Sequence, residues 1–463
     1  MKRELVLGSG RDLGTIGLVA ALCGLYAGVL VSASAVLATL GDDTGNLAFT
    51  LQIASLVFNL VAIYVAAVVI TNAVDTVLAG RLQQLALLRL LGARSTDLRR
   101  VVMRSTGLIG LVAALGGAAL GVAITAAARV VLVARGTLPS RDYPLTSVVL
   151  IVPIAVVAAT ALICGWRGSR RVLSVTPAEA MTGVSAPAAS PRRESRLRKV
   201  FALLVMAAGV VFLLGAAYLG EHYAAIGFLL AFLGAATFTT GLLIGARYVV
   251  PRLVAATGRA LGSTPASRVA RRNAVLDPQR TTRSTMGLVI GVAIITTIAS
   301  GMGALQQAVD GWTQLTAADR EMAHQLLGMI GSVMTGIVVV SCVISVIGFI
   351  STMSLTVIQR RREIGLLRAV GFTGSQIRSM ITRESAALAG TAVLFGLILG
   401  VVFGSVGAQS VIGFETDGFV WGTPWAFLAT VAGVGMLLVL VSALPPARRA
   451  TSVPVVAALR IDG

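Results

Sequence analysis

Runs of twenty or more consecutive apolar residues, separated by short arginine clusters, constrain this chain more than any other feature. A helix that crosses the ~30 Å hydrocarbon core of a bilayer needs roughly 20 largely apolar residues, because lipid offers no partner for backbone N–H and C=O groups. Ten such runs occur, at approximately 14–39, 51–79, 106–128, 146–166, 200–219, 223–246, 284–304, 326–357, 384–406 and 425–444. They predict an all-α polytopic membrane protein. Only 12% of the residues are charged and 56% are hydrophobic, against about 25% charged in an ordinary globular domain, which excludes a water-soluble fold. The first run has a basic start and small residues at Ser32 to Ala35. It is about twice as long as a signal-peptide core and reads as a retained helix.

The formal charge of +19 does not point to nucleic acid, since the basic residues lie in clusters between membrane-length runs. Their distribution sets orientation instead. With the first residues in the cytoplasm, the outside loops hold only Arg129, Arg135, Arg141 and Arg320, leaving 34 of the 38 basic residues inside. Both termini are then cytoplasmic, and the acidic Asp42, Asp43, Asp310, Asp319, Glu321, Glu415 and Asp417 fall outside. Arginine far exceeds lysine, and Ala, Val and Gly abound; this pattern of codon usage indicates a GC-rich bacterium and hence its cytoplasmic membrane.

The chain repeats itself. Residues 81–121 match 360–400 without a gap at an offset of 279, with twelve identities in 41 positions. Apolar bias does not explain the register of Arg81/Arg360, Arg89/Arg368, Arg99/Arg378 and Arg104/Arg383, nor of Gly92/Gly371, Gly117/Gly396 and Gly121/Gly400. A fainter echo pairs 170–181 with 448–459. Four spans in each half return the chain to the same side, so the halves are parallel pseudo-repeats. The expected organisation is 4+2+4: a first four-helix repeat over 1–182, a cytoplasmic basic linker over 183–199, two connecting helices over 200–250 and a second four-helix repeat over 251–463. The basic end of the linker, Arg192 to Lys199, is either solvated or in touch with anionic headgroups.

Between the second and third spans of each half lies a basic amphipathic segment. In the second half, Ile364, Leu367 and Val370 repeat at helical spacing. Gly371 and Gly374 interrupt them, and Ile377, Met380 and Ile381 define a further short piece. The expectation is a helix–turn–helix at the cytoplasmic surface. It serves either as a membrane-surface anchor or as a coupling element that docks on a cytoplasmic partner, and its duplication in register favours docking.

The run Arg360 to Gly371, with Glu363-Ile364-Gly365-Leu366-Leu367-Arg368 at its centre, resembles the FtsX/MacB-type permeases of ABC transporters; so do Arg271 to Thr281 and the ending through Arg460. The resemblance covers the second half closely and the first half loosely. It implies that Glu363, Ile364, Gly365, Leu366, Leu367, Arg368 and Gly371 form a coupling helix that meets a separate ATPase. Gln84, Leu87, Leu88, Arg89 and Gly92 are the first-half counterpart, and Gln84 there replaces the motif's acid. With both halves on one chain, one copy would present two docking sites and match an ATPase dimer, with ATP and Mg bound by that partner. Family members usually carry a large outside domain after the first span of a unit; about ten and about twenty residues occupy those places here.

No Gly-rich phosphate loop with lysine exists, since the only lysines are Lys2 and Lys199 and neither follows a glycine. Cofactors on the chain itself, a metal site and catalytic residues are therefore not expected. The cysteines Cys23, Cys164 and Cys342 lack ligand spacing. Asp75 is the one ionisable residue expected near the membrane interior, and its repeat mate is Ser354. Gly117 and Gly121, and Gly396, Gly400 and Gly404, form flat faces on the third spans, suited to close packing between third spans or against second spans. The leading reading is an ABC permease that exports or extracts a hydrophobic or amphiphilic substrate amid membrane lipid. A non-transporting signal transmitter and a secondary carrier are the alternatives.

Overall fold

The computed structural model describes residues 10–41, 48–80, 94–135, 143, 148–173, 196–220, 222, 224–260, 272, 278–312, scattered positions from 320 to 342, 361–413 and 418–437. Among these residues the chain is helical and contains no strand. The helices are α1 (Gly10–Gly41), α2 (Ala48–Gly80), α3 (Ser95–Ala134), α4 (Ile151–Leu173), α5 (Arg196–Gly220), α6 (Ala224–Ala260), α7 (Pro278–Gly311), α8 (Arg361–Ala369) and α9 (Gly374–Ile412), followed by α10 (Trp425–Leu437). Seven are long and apolar enough to cross a membrane; the apolar stretches Ser55–Thr71, within α2, and Trp425–Leu437 are shorter. The run expected at 326–357 lies mostly outside the described residues.

Helix length exceeds the apolar runs. With 40 residues and 1.5 Å per residue, α3 is about 60 Å long, twice the hydrocarbon thickness. Its first three turns, with Arg99, Arg100 and Arg104, stand outside the apolar run. Likewise, α9 has 39 residues and starts ten positions before its span. The short piece expected around Ile377 to Ile381 is therefore not a separate helix: Gly374 opens α9, and those residues are its first two turns.

The glycine faces find their partners in the first spans. A Cβ on Gly117 would overlap the Ala21 carbonyl of α1, and one on Gly121 would overlap that of Leu25. In return, Gly24 and Gly28 of α1 abut the backbone of Ala114 and Ala118. In the second half Gly396 meets Val289 and Val292 of α7, Gly400 meets Ala293 and Thr296, and Gly404 meets Thr297 and Gly301. The expected packing of third spans on each other or on second spans is thus corrected to third on first, because the backbones come closest where glycine faces a helix of small residues. The contacted carbonyls, Ala21 and Leu25 against Val289 and Ala293, lie 268 positions apart, whereas the glycines lie 279 apart. Eleven extra residues therefore separate first and third spans in the second half.

Four inner cores hold the bundle together. One joins α1, α2, α3 and α4 around Ile70, Val74, Val102 and Val157; its counterpart joins α6, α7 and α9 around Met286, Val289, Leu388 and Val393. The halves meet where Tyr26 and Leu30 of α1 and Phe58 and Ala62 of α2 pack on Ile298 and Met302 of α7 and on Met334. The hairpin α5–α6 lies against α9, with Leu213, Ala216 and Ala231 packed on Val406, and touches α2 where the Tyr64 hydroxyl bonds the Ala236 carbonyl at 3.1 Å. Beyond α9, residues 418–424 run back across the helix ends. The Val420 and Gly422 amides donate to Gln409 Oε1 (3.1 Å) and Ser405 Oγ (3.0 Å), and Ser300 donates to the Gly422 carbonyl. This irregular backbone is tolerated at a helix interface because side chains satisfy it.

Candidate functional site: the elbow beneath the third span

The duplicated basic motif folds, in its second copy, into an elbow between α8 and α9. The helix α8 ends in a Schellman motif, as the Phe372 amide bonds the Leu367 carbonyl (2.9 Å) and the Gly371 amide bonds that of Arg368 (3.1 Å). Such an ending needs a left-handed residue, and Gly371 supplies it at φ 105°. Only two residues later α9 begins with a capping box. Gln376 N donates to Thr373 Oγ1 (3.3 Å), and Thr373 N donates to Gln376 Oε1 (2.9 Å). Reciprocal capping of this kind fixes where a helix starts.

The elbow closes on its own core. Ile364, Ile377, Met380 and Ile381 are buried together, with Leu367 and Phe372 packed against them. Contact between Leu367 and Phe372 is the hydrophobic partner of the Schellman hydrogen bonds. The amphipathic face read from Ile364, Leu367 and Val370 therefore splits: the first two point into the elbow, whereas Val370 is 77% exposed and Leu366 is 51% exposed. Gly365 is buried, and Arg368 is half-buried. The backbone of Glu363 is helical, while its side chain is outside the described residues. The first copy, with Gln84, Leu87, Leu88, Arg89 and Gly92, lies outside them altogether, though Ser95 opens α3 at the position equivalent to Gly374. There Arg94 occupies the cap position and makes no side-chain cap.

Directly above the elbow, α9 carries polar groups that the sequence reading passed over. Glu384 is 8% exposed, one turn beyond Met380 and Ile381. Two turns higher, the Thr391 hydroxyl lies 2.8 Å from that of Thr257 in α6, and Thr257 also donates to the Ala387 carbonyl at 3.3 Å. The elbow is thus tied through α9 to α6. The capping pattern of a threonine followed three residues later by glutamine was the legible signal; Glu384 looked like a span boundary because Arg383 precedes it. No cluster of His, Cys, Asp or Glu able to hold a metal occurs among the described residues.

Helices of membrane length with an amphipathic helix clamped under one of them define a polytopic membrane protein. The family model for the FtsX-like permease C-terminal region matches residues 56–177 and 335–455, over half the chain, and the starts of the two matches lie 279 positions apart. The chain belongs to the FtsX-like permease family. It is similar to the lipoprotein-releasing system transmembrane protein LolC of Haemophilus influenzae, at 32% identity over 26% of this chain and 31% of the relative. It is also similar to the ABC transporter permease YtrF of Bacillus subtilis, at 30% identity over 27% and 32%. A third relative, from Methanocaldococcus jannaschii and described as an uncharacterized ABC transporter permease, is 27% identical over 29% and 34%. The chain spans about a third of the length of these relatives.

Proposed function

We propose that the protein is the membrane subunit of an ABC transporter and that α8 couples it to a separate ATPase. The carrying observation is the outward face of α8: Leu366 and Val370 are exposed on a helix locked to the third span by a buried core. A surface anchor has no use for that rigid connection. Force on α8 reaches α9 without a flexible joint, and the glycine contacts of α9 with α7 are the surface over which a change of state would slide. Ten spans in a 4+2+4 order, with 1–182 and 251–463 as parallel repeats around the 183–199 linker and the 200–250 pair, would give one chain two elbows for an ATPase dimer. ATP and Mg belong to that partner. The split of basic residues supports a cytoplasmic position for α8, for its first-half counterpart and for both termini in a bacterial cell.

The substrate class is hydrophobic or amphiphilic, as the walls are apolar helices and the outside loops are short. The similarity to LolC, a transmembrane protein of a lipoprotein-releasing system, is in keeping with extraction from the membrane. Signal transmission through the same coupling is the second reading. Among the described residues no set of buried charges converges, which disfavours a secondary carrier.

Copurification of an endogenous ATPase followed by turnover assays tests the proposal. Glu363 would make a charge-assisted contact worth roughly 1.5–3 kcal/mol, and Gln84 a neutral one of about 1 kcal/mol. Glu363→Ala should cut substrate-linked ATP turnover much more than Gln84→Ala. Equal, wild-type turnover and ATPase retention in both would leave α8 a membrane anchor.

A further inference from the structure

Residues 418–424 turn back from the far end of α9 as a strap of irregular backbone held from two sides. Gly422 sits so close to α7 that a Cβ there would overlap the Ser300 carbonyl. Its amide donates to Ser405 Oγ of α9 (3.0 Å), and its carbonyl accepts from Ser300. Gly418, at φ 129°, makes the turn; Gln409 Nε2 donates to its carbonyl at 3.3 Å. Pro424 packs over Gly303 of α7. These contacts fix the depth of the strap along the bundle.

That depth is one bilayer away from the elbow. Between Glu384, one turn beyond the elbow core, and Ser405 lie about 31 Å of unbroken helix, which matches the ~30 Å hydrocarbon core. With the elbow at one surface of the membrane, Gly422 stands at the other. There the strap leaves its rings uncovered. Phe419 and Trp421 lie against each other with centroids 4.8 Å apart, Trp421 is 54% exposed, and Trp425, the first residue of α10, is 75% exposed. From Gly418 to Ala447 the sequence holds no charged residue, so this stretch selects no ionic partner. The uncovered surface continues along α10 to Val434 and Leu437, exposed within the apolar run, and is thus continuous with the lipid-facing wall. Tryptophan suits this level because an apolar ring body with a polar N–H fits the boundary between acyl chains and headgroups.

We propose that Phe419, Trp421 and Trp425 form a docking surface for the bilayer itself, inserted at the headgroup boundary of the leaflet remote from the elbow. This goes beyond the coupling role, requires neither an ATPase nor a transported substrate, and holds whichever side of the membrane the elbow faces.

The test uses the full chain reconstituted into phosphatidylcholine vesicles. Two proteins keep a single tryptophan, Trp421 or Trp425, with the others among Trp166, Trp312, Trp421 and Trp425 replaced by phenylalanine. Phosphatidylcholine brominated near the top of its acyl chains should remove most of the emission of each. Lipid brominated near the terminal methyls should remove several-fold less, and iodide on both faces of the vesicle should remove little. The two proteins are independent readings, so either one that keeps the parent's unfolding temperature decides. Trp166→Phe with Trp312→Phe, which leaves the strap whole, should show the same order of quenching if both single-tryptophan proteins unfold. Strong quenching by iodide with none by brominated lipid would put the rings in water and overturn the surface. Resistance to both quenchers would mean that a second copy or another protein covers the rings, and overturns it equally.

Discussion

Gly400 and Gly116 occupy long helices of the same family of contacts and have opposite surroundings. A Cβ on Gly400 runs into the Thr296 side chain and the Ala293 carbonyl, whereas one on Gly116 meets nothing within 4 Å. Gly400→Ala should destabilise the protein by about 1–3 kcal/mol through overpacking, and Gly116→Ala should be neutral or stabilising by up to about 1 kcal/mol. Thermal unfolding in detergent reads both, and a Gly400→Ala protein as stable as the parent would remove the close α7–α9 contact from the argument. The spacing of Gly396, Gly400 and Gly404 showed that a face existed. What covers that face was not legible, because periodicity reports which side of a helix is small and says nothing of its neighbour. Glu384 was missed for a related reason: a charge beside Arg383 reads as the end of a span, and only the depth of the elbow core shows it buried.

At the scale of elements, the elbow separates residues that hold α8 from residues that α8 presents. Ile364→Asp places a charge among Ile377, Met380 and Ile381 and should undo the docking of α8 with a clear loss of stability. Leu366→Asp with Val370→Asp leaves that core intact, and should keep the unfolding temperature near that of the parent while releasing the ATPase in a pull-down. The reverse pattern would mean that the exposed pair supports the fold and carries no partner. Thr373→Ala removes the capping box and should cost about 1 kcal/mol, enough to read as a small drop in unfolding temperature. The sequence made the helix and its glycine stop plain. The junction with the third span was not plain, since the apolar positions 377, 380 and 381 fit a free surface helix as well as the first turns of a long one. The capping box immediately before Gly374 settles the start of α9, which then runs on without a break.

For the whole molecule, duplication explains the cores and asymmetry explains the hairpin. On α9 the hairpin sits where Gly220 and Gly227 approach Ser410 and Phe238 meets Phe403 edge-on at 6.0 Å. The equivalent positions of α3 are Val131 and Ile124, 49% and 46% exposed, a branched surface that two glycine-faced helices do not fit. That choice was not legible in the sequence: the repeat emerged because arginines and glycines stay in register, but the eleven-residue shift between the first spans hid their equivalence. The same arginines carry the proposal that the α8 end of the bundle faces the cytoplasm. Single cysteines introduced at Ser140 and Ser190, with Cys23, Cys164 and Cys342 replaced by alanine, can be probed on intact cells with an impermeant thiol reagent. Position 140 should label at once and position 190 only after the cells are opened, because the proposed orientation puts 34 of the 38 basic residues on the side of position 190. Labelling of 190 but not 140 in intact cells would turn the molecule over, put α8 outside where no ATPase can reach it, and end the coupling proposal whatever the fate of Glu363.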